Sequence, residues 1–475
     1  MKSIRKPKIG LLLIGSPRFK SLGDGTRDGK YADRKLIEAD RIKAEIGDEC
    51  EIIFDEVVYD AESARRTVKI FREKGVDCAA ATFLSWAEDA PWINFLQDIG
   101  DLPLLYFSIV REEIPYETSF DESDFVDFLS CGSMVGFLEG SGDLKRYYGD
   151  KGNIFLGSLC ECAEKIRSFA RASRAKAMLR NSTVSLLSCY NEVMWSTYVD
   201  PYNIFKTFGA TLHFLSIAEL VDCIDKADDG EMEEICRSFL EKYRHDDDLD
   251  YEKFKASVRA SFAMEELAKS KDTDLLVLND VDRVLFEKVG LRPGFYPTRD
   301  SIELCCVPEG DIGAGLATYI LHLVSGNHVN FIEPFYIDKK NNSVSCGHAG
   351  PCDFTECPEN VIIGKDTRFA KSGYKYAGAP FAWYVYPAGL KTMVHMSECN
   401  GKLKMIFTTM ECLPTKHHLA SYSHANMRHP YLSHEELFTR LAKFGVTQHY
   451  AICKGDYMDE LEQFAKIAGI EYERI

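Results

Sequence analysis

The chain has 475 residues, 45% of them hydrophobic, with a formal net charge of −17. That length and mix predict a globular protein of two to four domains with ample core. The acidic balance argues against nucleic acid or an anionic membrane as partner, because phosphate surfaces require a basic patch.

The first segment, Lys8–Gly15, is a continuous apolar run ending in Gly15-Ser16-Pro17. Without polar alternation it predicts a strand buried on both faces, as in a parallel sheet. Ala32–Ile46 has helical spacing and a Gly47 stop, and Glu51–Phe54 reads as a strand. Asp60 is placed to cap a helix over Ala61–Lys74 that ends at Gly75. Val76–Phe83 and Leu102–Ile109 are further buried strands. This alternation predicts a doubly wound α/β domain, and the absence of GxGxxG after the first strand argues against a dinucleotide. Ser130-Cys131-Gly132-Ser133-Met134 reads as a small-residue loop, by a ligand crevice or simply in a tight turn, and Leu156–Leu179 as a long basic helix.

A second α/β unit is expected from Thr183–Ser188, followed by the polar and aromatic loop Cys189-Tyr190-Asn191-Glu192. Phe205–Leu215 leads into a helix from Ser216, and residues 224–250 read as an acidic, solvated helix face and loop. Tyr251–Lys271 is helical, Leu275–Val289 is ambiguous between strand and helix, and Ser301–Val307 is a strand running into Glu309. A helix is predicted at about Ile312–Ser325. Beyond residue 326 the segments turn short, aromatic and alternating: Asn330–Ile337, Phe381–Tyr386, Thr392–Met396 and Lys402–Thr409. With turns at Cys399-Asn400-Gly401 and Lys340-Asn341-Asn342, they predict an antiparallel barrel. A helix over Asp459–Ala468 and an edge strand over Ile470–Arg474 close the chain. The expected domains are 1–175 (α/β), 176–325 (α/β) and 326–475 (β-barrel).

The short apolar run Ile9–Ile14 is neither a membrane span nor a signal peptide, so the 16 cysteines are expected as reduced thiols in a cytoplasmic protein. Glu309 and Glu333 both fall near predicted strand ends, where α/β sheets bind ligands, and His348 follows one short loop later. Glu, Glu and His suit a divalent cation such as Mn²⁺. By local spacing alone, helix capping is the simpler account of Glu309-Gly310-Asp311. A competing cluster, Cys346, His348, Cys352 and Cys357, suggests zinc, but its spacing is irregular and holds no CxxC. His322, His328 and His395 read as structural, whereas His417, His418, His424 and His429 either line a site or cover the barrel.

Pro308-Glu309-Gly310-Asp311, Phe331-Ile332-Glu333 with His348, Leu413-Pro414 with His429-Pro430, and Thr447-Gln448-His449-Tyr450 before the closing helix resemble the L-arabinose isomerase and L-fucose isomerase superfamily, most closely its arabinose isomerase branch. Weaker similarity runs through residues 76–200, including Ile114-Pro115-Tyr116. The resemblance implies two flavodoxin-like α/β domains followed by a C-terminal β-barrel. It also implies Mn²⁺ or another divalent cation on Glu309, Glu333, His348 and His449, and aldose–ketose isomerisation with the two glutamates as acid–base groups. The sugar-contacting positions of that family fall on Trp86, Ser130, Ser133, Tyr190 and Phe331. Several depart from the family pattern, so a pentose or (deoxy)hexose is implied rather than L-arabinose itself. The family also implies a homo-oligomer (trimer, tetramer or hexamer) whose sites are shared between subunits. The alternative is a non-catalytic sugar-binding or sensing protein on the same scaffold.

Overall fold

A computed structural model describes residues 3–23, 29–111, 130, 133–149, 152–300, 304–351 and 353–475. Ile114-Pro115-Tyr116, Cys131, Gly132 and Cys352 lie outside the described residues. The chain is mixed α/β, with parallel-strand sheets and a closed six-stranded antiparallel barrel. It forms two compact units, residues 5–177 and 178–475.

In residues 5–177 a parallel sheet runs, in spatial order, Glu51–Ile53, Lys8–Ile14, Cys78–Phe83, Leu104–Ile109 and Asn153–Gly157. The expected helix over Ala61–Lys74 is present, with a capping box between Asp60 and Ser63 and Gly75 in the left-handed region. One prediction needs correction. The basic helix begins at Leu159, not Leu156. The residues before it form the fifth strand, paired with Leu104–Ile109. That strand is at the sheet edge and exposes Ile154 and Leu156, so it lacks the buried run that marks its neighbours.

In residues 178–475 a second parallel sheet runs Cys305–Val307, Leu275–Leu278, Thr183–Leu187, Thr211–Leu215. Phe205–Leu215 proves to be two elements: the end of a helix, Pro201–Phe208, and an edge strand, Thr211–Leu215. Gly209, at φ +81°, makes the break. The ambiguous Leu275–Val289 also resolves into two, a strand to Leu278 and a helix, Arg283–Lys288, capped by Asp282.

The barrel strands are Asn330–Asp338, Ser343–His348, Gly389–Cys399, Lys402–Cys412, Ser423–Arg428 and Tyr450–Lys454. Pairing of Gly389–Cys399 with Lys402–Cys412 closes the ring. Their hairpin turns at Asn400-Gly401, with φ +52° and +71°, as an Asn-Gly turn demands. Phe381–Tyr386 was expected in this barrel. Its first half, Pro380–Trp383, instead pairs with Ile362–Lys365, which pairs with Arg244–His245, in a separate three-stranded sheet, while Tyr384–Tyr386 bridges the barrel strand Ser423–Arg428 at His424.

The helix Ile312–Ser325 ties barrel to parallel sheet. It is apolar almost all round and buried almost throughout, as a helix covered on every side must be. Two glycines permit the approach. A Cβ on Gly315 would meet Val277 and Val307 at 3.0 and 3.1 Å, and one on Gly313 would lie 2.5 Å from the backbone oxygen of Met396 in the barrel. Among the described residues, no helix is long and apolar enough to cross a membrane.

Candidate metal centre

The centre forms where the strand Cys305–Val307 ends and the helix Ile312–Ser325 begins. The chain turns there through Pro308-Glu309-Gly310, with Glu309 at φ +62° and Gly310 at φ +70°. A glutamate in the left-handed region is uncommon and persists only when its surroundings fix it. Here the Glu309 N–H donates to Asp280 Oδ1 at 2.8 Å, and the Glu309 carbonyl accepts from Asn191 Nδ2 at 3.0 Å. The next N–H, of Gly310, donates to the carbonyl of Leu278. The result is a buried carboxylate aimed at the barrel.

His348 ends one barrel strand, and His449 immediately precedes another. Ligand atoms of Glu309, His348 and His449 all lie within 4.8 Å of one another, and the three residues are buried. Glu309 Oε1 is 3.7 Å from His348 Nε2, and Oε2 is 3.3 Å from His449 Nε2. His348 Nε2 has no hydrogen-bond partner, and His449 Nε2 faces Glu309 Oε2 as an ion pair. Two buried imidazole nitrogens facing one carboxylate form a donor set that fits a divalent cation.

Asp311 sets the orientation of His449. Its Oδ1 accepts from the Ala314 N–H as the helix N-cap, and its Oδ2 takes the His449 Nδ1–H at 2.9 Å. This pins the tautomer and leaves Nε2 for a ligand, the usual carboxylate–histidine–metal arrangement. His395 holds the same stretch of chain, with Nδ1 on the His449 carbonyl at 2.6 Å and Nε2 accepting from the Thr447 N–H. Phe331 packs against both ligand rings, with centroids 4.8 Å from His348 and 4.5 Å from His449.

The charges are strongly coupled. Burial alone would raise the pKa of Glu309, but the hydrogen-bond interaction with His449 and the charges of His348, His449 and Arg368 bring it down to about 2. Burial disfavours the charged form of His449 too, yet Asp311 and Glu309 outweigh it and hold its pKa at about 9. His348, buried first and foremost, falls to about 3 and is neutral. Glu333 moves up, because of burial and then the nearby charge of Glu309.

Glu333 stands outside the 4.8 Å cluster but lines the cavity that Glu309 opens into. That cavity of about 380 Å³ is also bounded by Asn191, Asn279, Arg368, Tyr422 and Gln448. Arg368 Nη1 is 3.6 Å from Glu309 Oε1.

Other expectations find different places. Tyr190 turns its hydroxyl to the Val199 carbonyl and packs on Tyr198. Trp86, Ser130 and Ser133 belong to the unit of residues 5–177. There Trp86 lies under the Arg18 guanidinium, and buried Ser130 accepts from Arg34. Ser133 begins the helix Ser133–Tyr148. Among the described residues no cysteine joins the metal cluster. Cys346 is in the barrel core, and Cys357 Sγ–H points to Glu359. His418 and His424 bond to each other and to Ser345 and the Tyr422 carbonyl, while His417 stacks on Trp383. His429 instead accepts from the Tyr431 and Leu432 N–H groups, so it organises a turn. His322 and His328 bond to the Asn327 carbonyl and to Asp353.

Sequence reasoning missed Asp280, Arg292 and Arg368. Asp280 carried one usable signal, an acid two residues beyond the strand Leu275–Leu278. Arg292 and Arg368 carried none. No protein-family model matches the chain, and no curated protein matches it.

Proposed function

We propose that this protein is a divalent-metal-dependent aldose–ketose isomerase of the arabinose and fucose isomerase kind, acting on a pentose or (deoxy)hexose. The observation that carries the reading is the convergence of Glu309, His348 and His449, with both Nε2 atoms turned to the Glu309 carboxylate, beside a cavity that Glu309 and Glu333 line. In this reading the two parallel sheets are flavodoxin-like doubly wound domains ahead of the barrel. The chain works in the cytoplasm as a homo-oligomer, with Trp86, Ser130 and Ser133 completing a neighbour's site.

Glu309, His348 and His449 would hold the cation, with Glu333 completing the set, and the Glu/His donors favour Mn²⁺ among the hard and borderline metals. A bound divalent cation supplies Lewis-acid polarisation of the sugar carbonyl. The two glutamates differ in environment, which assigns their roles. Glu309, held near a pKa of 2, stays an anion. Glu333, shifted up by burial and by the Glu309 charge, is the better proton carrier. It takes the proton from C2 of the aldose, leaving a cis-enediolate, and returns it to C1, while the proton of the C2 hydroxyl passes to the C1 oxygen to give the ketose. Arg368, beside Glu309, offers N–H donors to the sugar oxygens. Phe331 covers the ligand histidines and excludes water.

The test is metal-stripped full-length protein, reloaded with Mn²⁺ and offered a panel of pentoses, hexoses and deoxyhexoses. One Mn²⁺ per chain by elemental analysis and Mn²⁺-dependent ketose formation by NMR are expected. Sugar binding without metal and without turnover would point instead to a sensing protein. No divalent-metal binding at all would overturn the proposal.

A further inference from the structure

Behind the metal cluster lies an ion triad. Arg292 is buried, as are Asp280 and Asp366. Its Nη1 donates to Asp280 Oδ2 at 3.2 Å and its Nε to Asp366 Oδ2 at 2.9 Å. The guanidinium is flanked by the rings of Phe369 and Phe381, 5.3 and 5.4 Å from their centroids. Each carboxylate uses its other oxygen on backbone. Asp280 Oδ1 accepts the Glu309 N–H, and Asp366 Oδ1 accepts the Arg368 N–H at 3.1 Å. Glu309 and Arg368 then face each other at 3.6 Å.

Charges taken this far from water need a compensating return, since an apolar trio of the same volume is often no less stable. What this trio does that an apolar one cannot is present two carboxylate oxygens to two specific N–H groups. One of those groups belongs to the residue whose left-handed backbone aims the metal-binding carboxylate. Space beside Asp280 is closed as well, because a Cβ on Gly350 would lie 2.8 Å from its Oδ2.

We propose that Asp280, anchored by Arg292, is a positioning residue that fixes Glu309 for metal binding, and that the same Arg292, through Asp366, sets Arg368 opposite it. This deepens the metal-centre reading and rests on it. Asp280 itself touches neither metal nor sugar; it acts through the Glu309 peptide.

The test compares Asp280→Ala, which removes the acceptor, with Asp280→Asn, which keeps a carbonyl oxygen for the Glu309 N–H. Two readouts are taken on the full-length chain: Mn²⁺ binding by calorimetry, and hydrogen exchange of the peptide spanning residues 305–312. Asp280→Ala should weaken Mn²⁺ at least tenfold, the scale typical of lost support to a metal ligand. It should also expose the Glu309 amide to exchange. Asp280→Asn, which keeps the acceptor but turns an amide N–H towards Arg292, should fall between the wild type and Asp280→Ala in both, a graded rescue that general loss of stability would not give. If Asp280→Ala does not fold, Arg292→Lys tests the anchor: faster exchange at Glu309 with weaker Mn²⁺ supports the proposal, and unchanged values for both overturn it. Equal defects in Asp280→Ala and Asp280→Asn, or a folded Asp280→Ala that keeps the Glu309 amide protected, would also overturn it. Wild-type protein that binds no Mn²⁺ would overturn the metal-centre reading instead, and the exchange data would still judge the role of Asp280.

Discussion

Metal binding to this protein should expel a proton from His449, and the size of the effect follows from its neighbours. Burial opposes charge on His449, but Asp311 on Nδ1 and Glu309 opposite Nε2 keep the imidazole protonated up to about pH 9. Nε2 is the atom left for the cation, so the proton there must leave first. His348 and Glu309 present no such barrier near neutrality, with values of about 3 and about 2. At pH 7 the competition weakens the apparent affinity by about two powers of ten, or roughly 3 kcal/mol. The sign is fixed. Affinity should rise about tenfold per pH unit from pH 6.5 towards 9 and then level off. Calorimetric Mn²⁺ titrations at pH 7 in buffers of different ionisation enthalpy should count about one proton released per ion bound. Affinity that is flat between pH 6.5 and 8.5, with no proton release, would refute the reasoning.

Three variants probe the remaining parts of the site. Glu333→Gln should lower turnover by about 10²–10⁴, the usual scale of a lost proton carrier, while Glu309, His348 and His449 still hold Mn²⁺, more weakly, by elemental analysis. Loss of metal and activity together would make Glu333 mainly a ligand. Asp311→Asn keeps an N-cap oxygen for the Ala314 N–H but removes the charge behind His449. It should weaken Mn²⁺ by about 10–100-fold with little change in thermal stability, and should lower the pH at which the affinity plateau begins. Gly313→Ala would set a Cβ 2.5 Å from the Met396 carbonyl oxygen. Overpacking of that kind costs about 1–3 kcal/mol, read as a lower thermal midpoint without Mn²⁺.

The parallel strands could be read because burial on both faces writes an unbroken apolar run, as in Lys8–Ile14 and Cys78–Phe83. Two edge strands escaped. Asn153–Gly157 and Thr211–Leu215 expose much of their length, so each merged into the helix beside it. Phe381–Tyr386 failed for another reason. Its aromatic alternation is genuine, but pairing partner is a tertiary choice: Pro380–Trp383 pairs with Ile362–Lys365, and only Tyr384–Tyr386 reaches the barrel, at His424. In the site, Glu309 and Glu333 could be read near strand ends and His348 a short loop later, whereas the structure puts His348 at the end of a strand. His449 was found only through its resemblance to a family motif. Its partner Asp311 lies 138 residues away in sequence, and no local pattern spans that distance.

Asp311 also dissolves an opposition that the sequence seemed to pose. Capping and catalysis looked like rival explanations of Glu309-Gly310-Asp311, since an acid at a helix start is satisfied by the backbone alone. A carboxylate has two oxygens, and here they do both tasks: Oδ1 caps the helix at Ala314, and Oδ2 orients His449. The cap therefore fixes the rotamer from which Oδ2 reaches the histidine, and a helix buried against both sheet and barrel fixes the cap. The same economy governs Asp280 and Asp366, each of which gives one oxygen to Arg292 and the other to a backbone N–H. In all three, a bond that reads locally as structural sets the aim of a side chain in the site. Substitutions that spare the structural oxygen and remove only the charge, Asp311→Asn foremost, are the ones able to separate the two tasks.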